Sequence, residues 1–585
     1  NDSKSIWKAI NLLTNNDSDK TSAVPINISA DELNNHFCNI AGLTVKHDKS
    51  NLNNLKLLKD YCCSKSIKST AIIPSLTVYD IYFHLVHLKQ TSTHGLDDID
   101  GKILKLSAPL ISDSLTYLYN LCIDKSCFPD SLKQAKVIPI YKSGDKSDPS
   151  NYRPISIVSV LSKPLEKHIL KHLTSHISKY NLLHPNQSGF RKNHSCHTAL
   201  TNLIDQWLTH IDENKFSGVL FIDFAKAFDV ISQDLLLRKL AIYKCSEHVL
   251  SFLKSFLTSR QQIVSIHNTN SSFLSLKFGV PQGSILGPFL FSLYINDLPL
   301  YIKGLCELFA DDTSIYSSDF NLHQLSVNLQ ENINQLINWV ELNHMSLNEK
   351  KTKYMVITSR QKRQIATSTM PFLYIRDKKL EEVNSHKVLG VIIDNSLTWS
   401  PHINSLSKRV SQKVFQLSKI KHFLDTNARK HFYYAHIQSH IDYASTLFDS
   451  CSANTLKPLV SVHKRAVKTI LLKSSTLKPE DYITLNILPL IQKLQHNKAV
   501  FMYRIMNGFA PPVLTAKFPV NQSRYTNSII IRKPRTDLFK TSLAYSGGTL
   551  WNALPLAIKQ KRSIGSFKAA YKGVLLQAVR SVKIL

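Results

Sequence analysis

Three carboxylates set into apolar stretches constrain the fold of this 585-residue chain more than any other feature. Asp223 interrupts the apolar run SGVLFIDFAKAFDVI, which predicts a buried strand whose end meets something polar. Asp311 and Asp312 stand side by side between the apolar arms of CELFADDTSIY, as in the turn of a hairpin. The pair Asp97 and Asp98 has no comparable arms and is typical of a solvated turn. We therefore expect the first three acids to be anchored on a core.

Carboxylates held this close repel one another, and a divalent cation relieves the repulsion better than any other group the sequence offers. If Asp223 ends a strand beside the hairpin, the three acids supply hard oxygen ligands for two Mg²⁺ ions, for which Mn²⁺ could substitute. Two such ions can activate a 3′-hydroxyl and stabilise a leaving pyrophosphate. The pattern thus points to nucleotidyl transfer.

The segments around the acids predict a mixed α+β class. AKVIPIYKSGDKSDPSNYRPISIVSVLSK predicts two strands joined by a polar loop with basic residues at its tip. Pro288 stands where a first helical residue would, after the loop GVPQGSILG, and apolar residues recur at helical spacing from Leu322 to Val340. A second, basic helical region begins near Val410.

The charge of the chain indicates a polyanionic partner. The net charge is +30 and the pI about 9.6. Solubility alone does not require such a large excess of positive charge. From residue 401 to 585 the chain has 29 Lys and Arg against 6 Asp and Glu. We therefore expect nucleic acid to be held most strongly by the C-terminal third.

Several classes of protein are disfavoured by the sequence. No apolar run is long enough to span a bilayer, so no membrane partner is expected. The nine cysteines lack the spacing of a disulfide framework, and Cys62 and Cys63 are adjacent, with no histidine pair at zinc-ligand distance. Residues 1–75 are rich in Asn, Ser, Lys and Asp, which predicts a linker or extension.

The motifs resemble those of reverse transcriptases of non-LTR retrotransposons, notably the jockey and chicken-repeat types. FIDFAKAFD, GVPQGSILGPFLF and FADD resemble the palm motifs in order and separation. The resemblance extends upstream through GLDDIDGKILK, IPIYKSGDKSDPSNYRPIS and NQSGFRKNHSCHTAL, and downstream through LNEKKTKYMVI, HKVLGVIIDNSLTW, SHIDYA and WNALP. It implies an RNA-directed DNA polymerase that works on an RNA template, a DNA primer or target, and dNTPs.

The resemblance also implies an architecture. It is the right-hand polymerase fold, with fingers, a palm built on an antiparallel sheet and a helical thumb, followed by a basic, mostly helical C-terminal region. We expect fingers and palm over residues 76–400, the thumb over 401–477 and an RNA-binding region over 478–585. WNALP leaves an alternative open, in which the last region folds back as part of the core.

The resemblance assigns roles to charged residues. Asp223, Asp311 and Asp312 match the metal ligands of the family. Lys142 and Arg153 match finger residues that hold the triphosphate, a task suited to a point charge and a bidentate fork. A further match is Lys351, which corresponds to a lysine proposed to protonate the leaving pyrophosphate.

Uncharged positions match the family as well. Gln282 and Gly283 correspond to the loop that touches the incoming nucleotide and template, where glycine permits close backbone approach. Phe228 corresponds to the ring that lies under the sugar and excludes a ribose 2′-hydroxyl, so the product should be DNA. Leu389 and Gly390 match the primer-contacting hairpin, although Val388 stands where the family usually has an aromatic residue.

Family members usually carry an endonuclease domain before the polymerase, and residues 1–75 are too few for one, so we expect that function to lie outside this chain. The resemblance implies action in the nucleus, with assembly able to occur in the cytoplasm. Two other functions stay open. An RNA-dependent RNA polymerase shares the chemistry but is disfavoured by Phe228, and a domesticated derivative could bind RNA without catalysis.

Overall fold

The computed structural model describes residues 28–44, 55–89, 93–267, 269–365, 372–522 and 527–581. Two five-stranded sheets carry most of the described strands, and helices pack against both. The mixed α+β class expected from the sequence is observed. No described helix combines the length and the apolar character needed to cross a membrane.

Among the described residues, four α-helices precede the first strand, and helices predominate after β14. The strands are β1 (Gln134–Tyr141), β2 (Tyr152–Val158), β3 (Phe216–Ile222), β4 (Arg260–Ile266), β5 (Thr269–Asn270), β6 (Leu274–Leu276), β7 (Leu305–Phe309), β8 (Asp312–Asp319), β9 (Lys353–Ile357), β10 (Tyr374–Ile375), β11 (Lys378–Lys379), β12 (Glu381–Glu382), β13 (Ser385–Val388), β14 (Val391–Asp394), β15 (Val520–Gln522) and β16 (Asn527–Ile529). The helices are α1 (Ala30–Thr44), α2 (Lys56–Cys63), α3 (Val78–Val86), α4 (Gly101–Asp124), α5 (Ser162–Lys179), α6 (Cys196–Asp212), α7 (Gln233–Ile242), α8 (Glu247–Leu257), α9 (Gly287–Ile295), α10 (Leu298–Tyr301), α11 (Leu322–Leu342), α12 (Arg360–Ile365), α13 (Ser400–Ile420), α14 (Thr426–Tyr433), α15 (Ser439–Asp442), α16 (Ala453–Leu471), α17 (Pro479–Leu485), α18 (Leu490–Met506), α19 (Pro512–Thr515), α20 (Gly548–Ala553), α21 (Leu556–Lys559) and α22 (Ile564–Ser581).

The first sheet is built on the predicted basic hairpin. Its order is β2-β1-β4-β5, with β6 also paired to β4. β1 and β2 are antiparallel, with Tyr141 opposite Tyr152, and β4 runs parallel to β1. Beyond the last pair, Lys142 donates its N–H to the carbonyl of Asn151 at 2.9 Å. The hairpin therefore places Lys142 at the start of the polar loop.

The second sheet contains the strands that carry the three acids. Its order is β12-β9-β3-β8-β7, and every neighbouring pair is antiparallel except the short β12 with β9. β7 and β8 form the predicted hairpin, in which Phe309 pairs with Asp312. β3 is the central strand, and all seven of its residues are buried, as its continuous apolar run predicts.

β3 separates two cores, because side chains alternate between the faces of a strand. Leu220 and Ile222 belong to a core shared with α11 and the first sheet. Val219 and Phe221 belong to a second core shared with α6 and α13. The central strand is thus held from both faces, which fixes the position of the residue that follows it.

The interpretation of residues 1–75 as a linker is wrong for the part of that range that the structure describes. α1 packs on β4 and β6, and its Asn34 side chain donates to the carbonyl of Gln262 at 3.3 Å. Leu58 of α2 lies in the first core, and Ala71 donates its N–H to the carbonyl of Lys244 at 2.8 Å. A few apolar residues within a polar composition are enough to dock these helices. Residues 1–27 and 45–54 lie outside the described residues.

The predicted boundary between residues 477 and 478 does not coincide with a boundary of the packing. α16 before it and α17 after it share the second core with the central sheet. α18 packs on α22, and together with Trp551 they form a third core. The WNALP segment therefore folds back into a core, which was the alternative left open by the sequence.

Candidate active site

Strand pairing brings Asp223 to the acidic hairpin. Ile222, the last residue of β3, pairs with Thr313 of β8. Because the two strands are antiparallel, the residue after Ile222 lies opposite the residue before Thr313. Asp223 therefore lies beside Asp312. Ala310, which precedes the acidic pair, has a left-handed backbone with φ of 57°. This turn sets Asp311 and Asp312 at the end of the hairpin nearest Asp223.

The backbone of Asp223 is also fixed by the segment after α11. Asn348 donates its N–H to the carbonyl of Asp223 at 2.8 Å, and Asp223 donates its N–H to Oγ1 of Thr352 at 3.4 Å. Lys351 lies in the turn between these two partners, and its N–H bonds to the carbonyl of Asn348 at 3.1 Å. The predicted LNEKKTKYMVI segment thus braces the end of β3.

The carboxylates of Asp311 and Asp223 act on the ionisation of Asp312. Burial, and after it the negative charges of Asp311 and Asp223, raise the pKa of Asp312 to about 6, against the opposing charges of Arg153 and Lys142. The Asp312 side chain reaches solvent on one side, while the surrounding protein desolvates it on the other. The site therefore disfavours three negative charges in the absence of a cation.

Hard divalent cations suit this donor set, because carboxylate oxygens are the ligands that Mg²⁺ prefers. In the parts of the chain that the structure describes, no three His, Cys, Asp or Glu side chains already enclose a position for an ion. Asp311 and Asp223 are close enough to Asp312 to raise its pKa, and a cation would have to draw the three side chains together.

Three predicted cations face these acids. Partial burial lowers the pKa of Lys142, and the positive charges of Lys351 and Arg153 lower it further, whereas Asp223 and Asp311 raise it. Both strands of the basic hairpin and the turn after α11 therefore contribute to one charged cluster. The hairpin supplies Lys142 and Arg153, and the turn after α11 supplies Lys351. The negative charge comes from the acids of the central sheet.

The loop with Gln282 and Gly283 lies directly against β2. Ser156 donates its N–H to the carbonyl of Gln282 at 3.0 Å. Gly283 has φ of 152°, and a Cβ there would lie 1.9 Å from the carbonyl oxygen of Ser156. The backbone of Gly283 therefore lies tightly against the edge strand of the first sheet, and its contact with nucleotide and template stays a prediction.

The side chain of Gln282 is oriented by Asp229, which lies six residues after Asp223. Nε2 of Gln282 donates to Oδ1 of Asp229 at 2.7 Å. Burial raises the pKa of Asp229 to about 6, while the hydrogen bond from Gln282 and the charge of Lys226 lower it. The contact supports a structural role for Asp229.

Phe228 is half-buried and rests on a second ring. Its ring stacks on Phe291 of α9, with centroids 4.3 Å apart and an interplanar angle of 23°. Its carbonyl accepts the N–H of Val280 at 3.0 Å. Packing against α9 fixes the ring from one side, so a structural role and contact with a sugar on the other side are compatible.

Leu389 and Gly390 form the tight turn between β13 and β14. Their φ values are 45° and 84°, and two positive values in succession are typical of a type I′ hairpin turn. Leu389 and Asp312 line the same cavity, which places this turn near the acids. Val388, where the family usually has an aromatic residue, is buried in the second core.

Comparison with known proteins agrees with this geometry. Residues 140–393 match the family model described as reverse transcriptase (RNA-dependent DNA polymerase). Residues 140–393 are a reverse transcriptase domain. Every site residue predicted from the sequence lies within this range.

Curated proteins similar to this chain include three from transposable elements of Drosophila melanogaster. The probable RNA-directed DNA polymerase from transposon BS is 29% identical over 354 residues, which cover 59% of this chain and 38% of the relative. The corresponding protein from the X-element is 29% identical, with 56% and 36% covered, and that from mobile element jockey is 26% identical, with 59% and 38% covered. The predicted jockey-type recognition is confirmed, and the chain spans little more than a third of the length of these relatives.

Sequence reasoning missed some residues that shape the reverse transcriptase site. Lys226, within FIDFAKAFD, donates from Nζ to the carbonyl of Tyr152 at 3.2 Å and so ties the central sheet to the basic hairpin. Glu166 of α5 accepts the N–H groups of Ile285 and Leu286 at 2.6 and 3.2 Å, which holds the loop after Gly283. Because Lys226 lies in the same motif as Asp223, its position in the sequence could have identified it as a residue near the site. The partners of Glu166 lie more than 100 residues away and left no local signal.

Proposed function

We propose that this chain extends a DNA 3′ end on an RNA template by two-metal nucleotidyl transfer, in the target-primed reverse transcription of a non-LTR retrotransposon. The observation that carries the proposal is the convergence of three carboxylates and three cations at the end of β3. Carboxylates suit divalent metals, and Lys and Arg suit the phosphates of a nucleotide. A reverse transcriptase domain provides the fold for this chemistry.

The right-hand architecture is part of the proposal. The first sheet with its basic hairpin would act as the fingers, the second sheet as the palm, and the helices from α13 to α16 as the thumb. Tyr443, just after α15, donates its hydroxyl to the carbonyl of Leu389 at 2.5 Å. The primer-contacting turn would therefore be held by the helical region and move with it.

Each charged side chain has a task in the proposed reaction. Lys142 and Arg153 would hold the triphosphate against the acids, and Lys351 would donate a proton to the pyrophosphate oxygen as it leaves. When bound by Asp223, Asp311 and Asp312, Mg²⁺, or Mn²⁺ in its place, would activate the primer hydroxyl and offset the charge of the leaving group.

Two further side chains, Phe228 and Gln282, would set nucleotide choice. The ring of Phe228 would exclude a ribose 2′-hydroxyl, and the Asp229 bond would keep Gln282 aimed at the nucleotide and template. These contacts leave the chain selective for dNTPs. The basic C-terminal region would add affinity for the RNA. Action in the nucleus, with assembly able to occur in the cytoplasm, completes the proposal.

The test is extension of a labelled DNA primer on an RNA template by the purified chain with Mg²⁺, supplied with dNTPs or with rNTPs. The proposal expects dNTP-dependent extension. Extension with rNTPs alone would instead indicate an RNA polymerase. Tight RNA binding with no extension under either condition would indicate a catalytically silent RNA-binding derivative.

A further inference from the structure

Phe190, in the NQSGFRKNHSCHTAL segment, is an aromatic residue that packing does not explain. Its side chain is 56% exposed, and no ring partner of Phe190 is found among the described residues. Its backbone is left-handed, with φ of 53°, a conformation that costs a bulky residue free energy. An exposed ring on a strained backbone is typical of a functional contact rather than of a core.

The segment before Phe190 runs alongside the acidic hairpin. Gln187 forms a parallel bridge with Leu308 of β7. Ser188 donates its N–H to the carbonyl of Leu308 at 2.8 Å, and Leu308 donates to the carbonyl of Asn186 at 2.9 Å. In a parallel pairing both chains advance together, so the residues after Gln187 follow the chain toward the acidic turn.

Gly189 confirms that this approach continues to the turn. A Cβ at Gly189 would lie 2.4 Å from the backbone nitrogen of Ala310, the residue that precedes Asp311. Phe190 is the next residue in the segment. The backbone of Phe190 therefore lies one residue from the contact with the acidic turn, and its ring is exposed at that position.

The segment is fixed on both sides of the ring. Gly189 donates its N–H to Oε1 of Gln187 at 2.8 Å. Arg191 donates from Nη1 to the carbonyls of His184 and Gln187 at 3.1 and 3.2 Å. The guanidinium of Arg191 is thus used to hold the segment, and the ring of Phe190 is left as its exposed contact group.

We propose that Phe190 is a stacking platform for the terminal base of the primer strand. This inference rests on the proposed polymerase function, because the acids define where the reacting 3′ end must lie. A ring one residue from the backbone contact with Ala310 would support the base of that last nucleotide. Base stacking on an aromatic ring tolerates any sequence, as a polymerase requires.

The test compares full-length variants on a DNA primer that ends in 2-aminopurine, annealed to an RNA template. Fluorescence of the probe falls when its base stacks on a ring. F190W should keep the quenching. F190L and F190G should lose it and weaken primer–template binding by roughly tenfold, within the range that loss of one stacked base produces. F190G also relieves the left-handed backbone, so its melting temperature should not fall.

Phe273, which is 49% exposed and lies between β5 and β6, provides the matched control. F273A should leave both the quenching and the binding unchanged. Equal quenching by wild type, F190L and F190G would overturn the proposal for Phe190. Extension by the wild-type chain is scored separately, so a protein that quenches the probe but extends no primer would refute the polymerase function and not the stacking contact.

Discussion

At the scale of single residues, Asp312 makes the electrostatics of the site sensitive to pH. Its pKa is raised to about 6 by burial and by the two neighbouring carboxylates. The carboxylate is therefore mostly protonated below that pH, and a protonated acid cannot ligate a metal. The proton and the metal compete for the same oxygens.

We predict that primer extension is lost as the pH falls through about 6 at low Mg²⁺, and that raising the Mg²⁺ concentration moves this acidic limb to lower pH. The measurement is the pH profile of kcat/KM at several Mg²⁺ concentrations. An acidic limb that stays fixed over the whole Mg²⁺ series would contradict a role for Asp312 in metal binding.

Phe228 allows a second prediction at this scale. F228A removes the ring stacked on Phe291 and opens the space where a 2′-hydroxyl would lie. The ratio of kcat/KM for rNTP to kcat/KM for dNTP should rise by at least about tenfold, while dNTP use falls modestly. F291A is the matched control, because it disturbs the same stack from the core side. A ratio unchanged in F228A would show that Phe228 only fills the core.

At the scale of elements, the Gln282 loop bonds to β2 through the carbonyl of Gln282, and the Gln282 side chain bonds to Asp229, which follows β3 of the second sheet. G283A places a Cβ 1.9 Å from the carbonyl oxygen of Ser156, so the loop must leave the strand. We predict a rise in KM for dNTP on the order of tenfold or more, because nucleotide contacts on both sheets lose their alignment.

Gly508 provides the control for backbone strain. Its φ is 74°, and a Cβ there would meet nothing within 4 Å. G508A should therefore cost about 1–2 kcal/mol of stability for the left-handed backbone and leave KM unchanged. Equal kinetic effects of G283A and G508A would show that strain, and not the contact with β2, explains the loss.

The elements that could be predicted from the sequence are those with a local signal. The apolar run that makes β3 a strand, the apolar arms of the acidic hairpin and the polar loop after β1 all lie within a short window, and each was found. The docking of α1 was not predictable in this way, because its Asn34 bonds to Gln262, far away in sequence. The Glu166 contact with Ile285 and the Tyr443 contact with Leu389 are of the same kind.

At the scale of the whole molecule, the C-terminal region is tied to the central domain by buried carboxylates of α6. Asp205 accepts the N–H groups of Leu543 and Ala544 at 2.9 and 3.1 Å. Asp212 accepts those of Arg535 and Thr536, both at 2.8 Å. Arg532 of the same region forms an ion pair with Asp212 at 3.6 Å. Part of the positive charge of the region is therefore used for packing against the central domain.

We predict that a chain cut at Lys478 fails to fold cooperatively, although it keeps every predicted site residue. The cut removes apolar residues of the second core and leaves Asp205 and Asp212 without their backbone donors, and unpaired buried carboxylates are strongly destabilising. Thermal unfolding followed by circular dichroism checks this. A soluble truncated chain with a cooperative transition and full extension activity would show that residues 478–585 are an independent module.

We expect Asp223, just after β3, and Asp311 and Asp312, at the start of β8, to hold the metals for nucleotidyl transfer. The most direct measurement is dNTP extension of a DNA primer on an RNA template by the chain with Asp311→Asn and Asp312→Asn, beside a control with Asp97→Asn and Asp98→Asn. Asparagine keeps the shape of both pairs and tolerates the positive φ of Asp98. We predict that the first variant binds RNA as the wild type does but extends the primer more than about a hundredfold more slowly, and that the control extends normally. Extension by the Asp311 and Asp312 variant at the control's rate would contradict the assignment of these acids to the polymerase site.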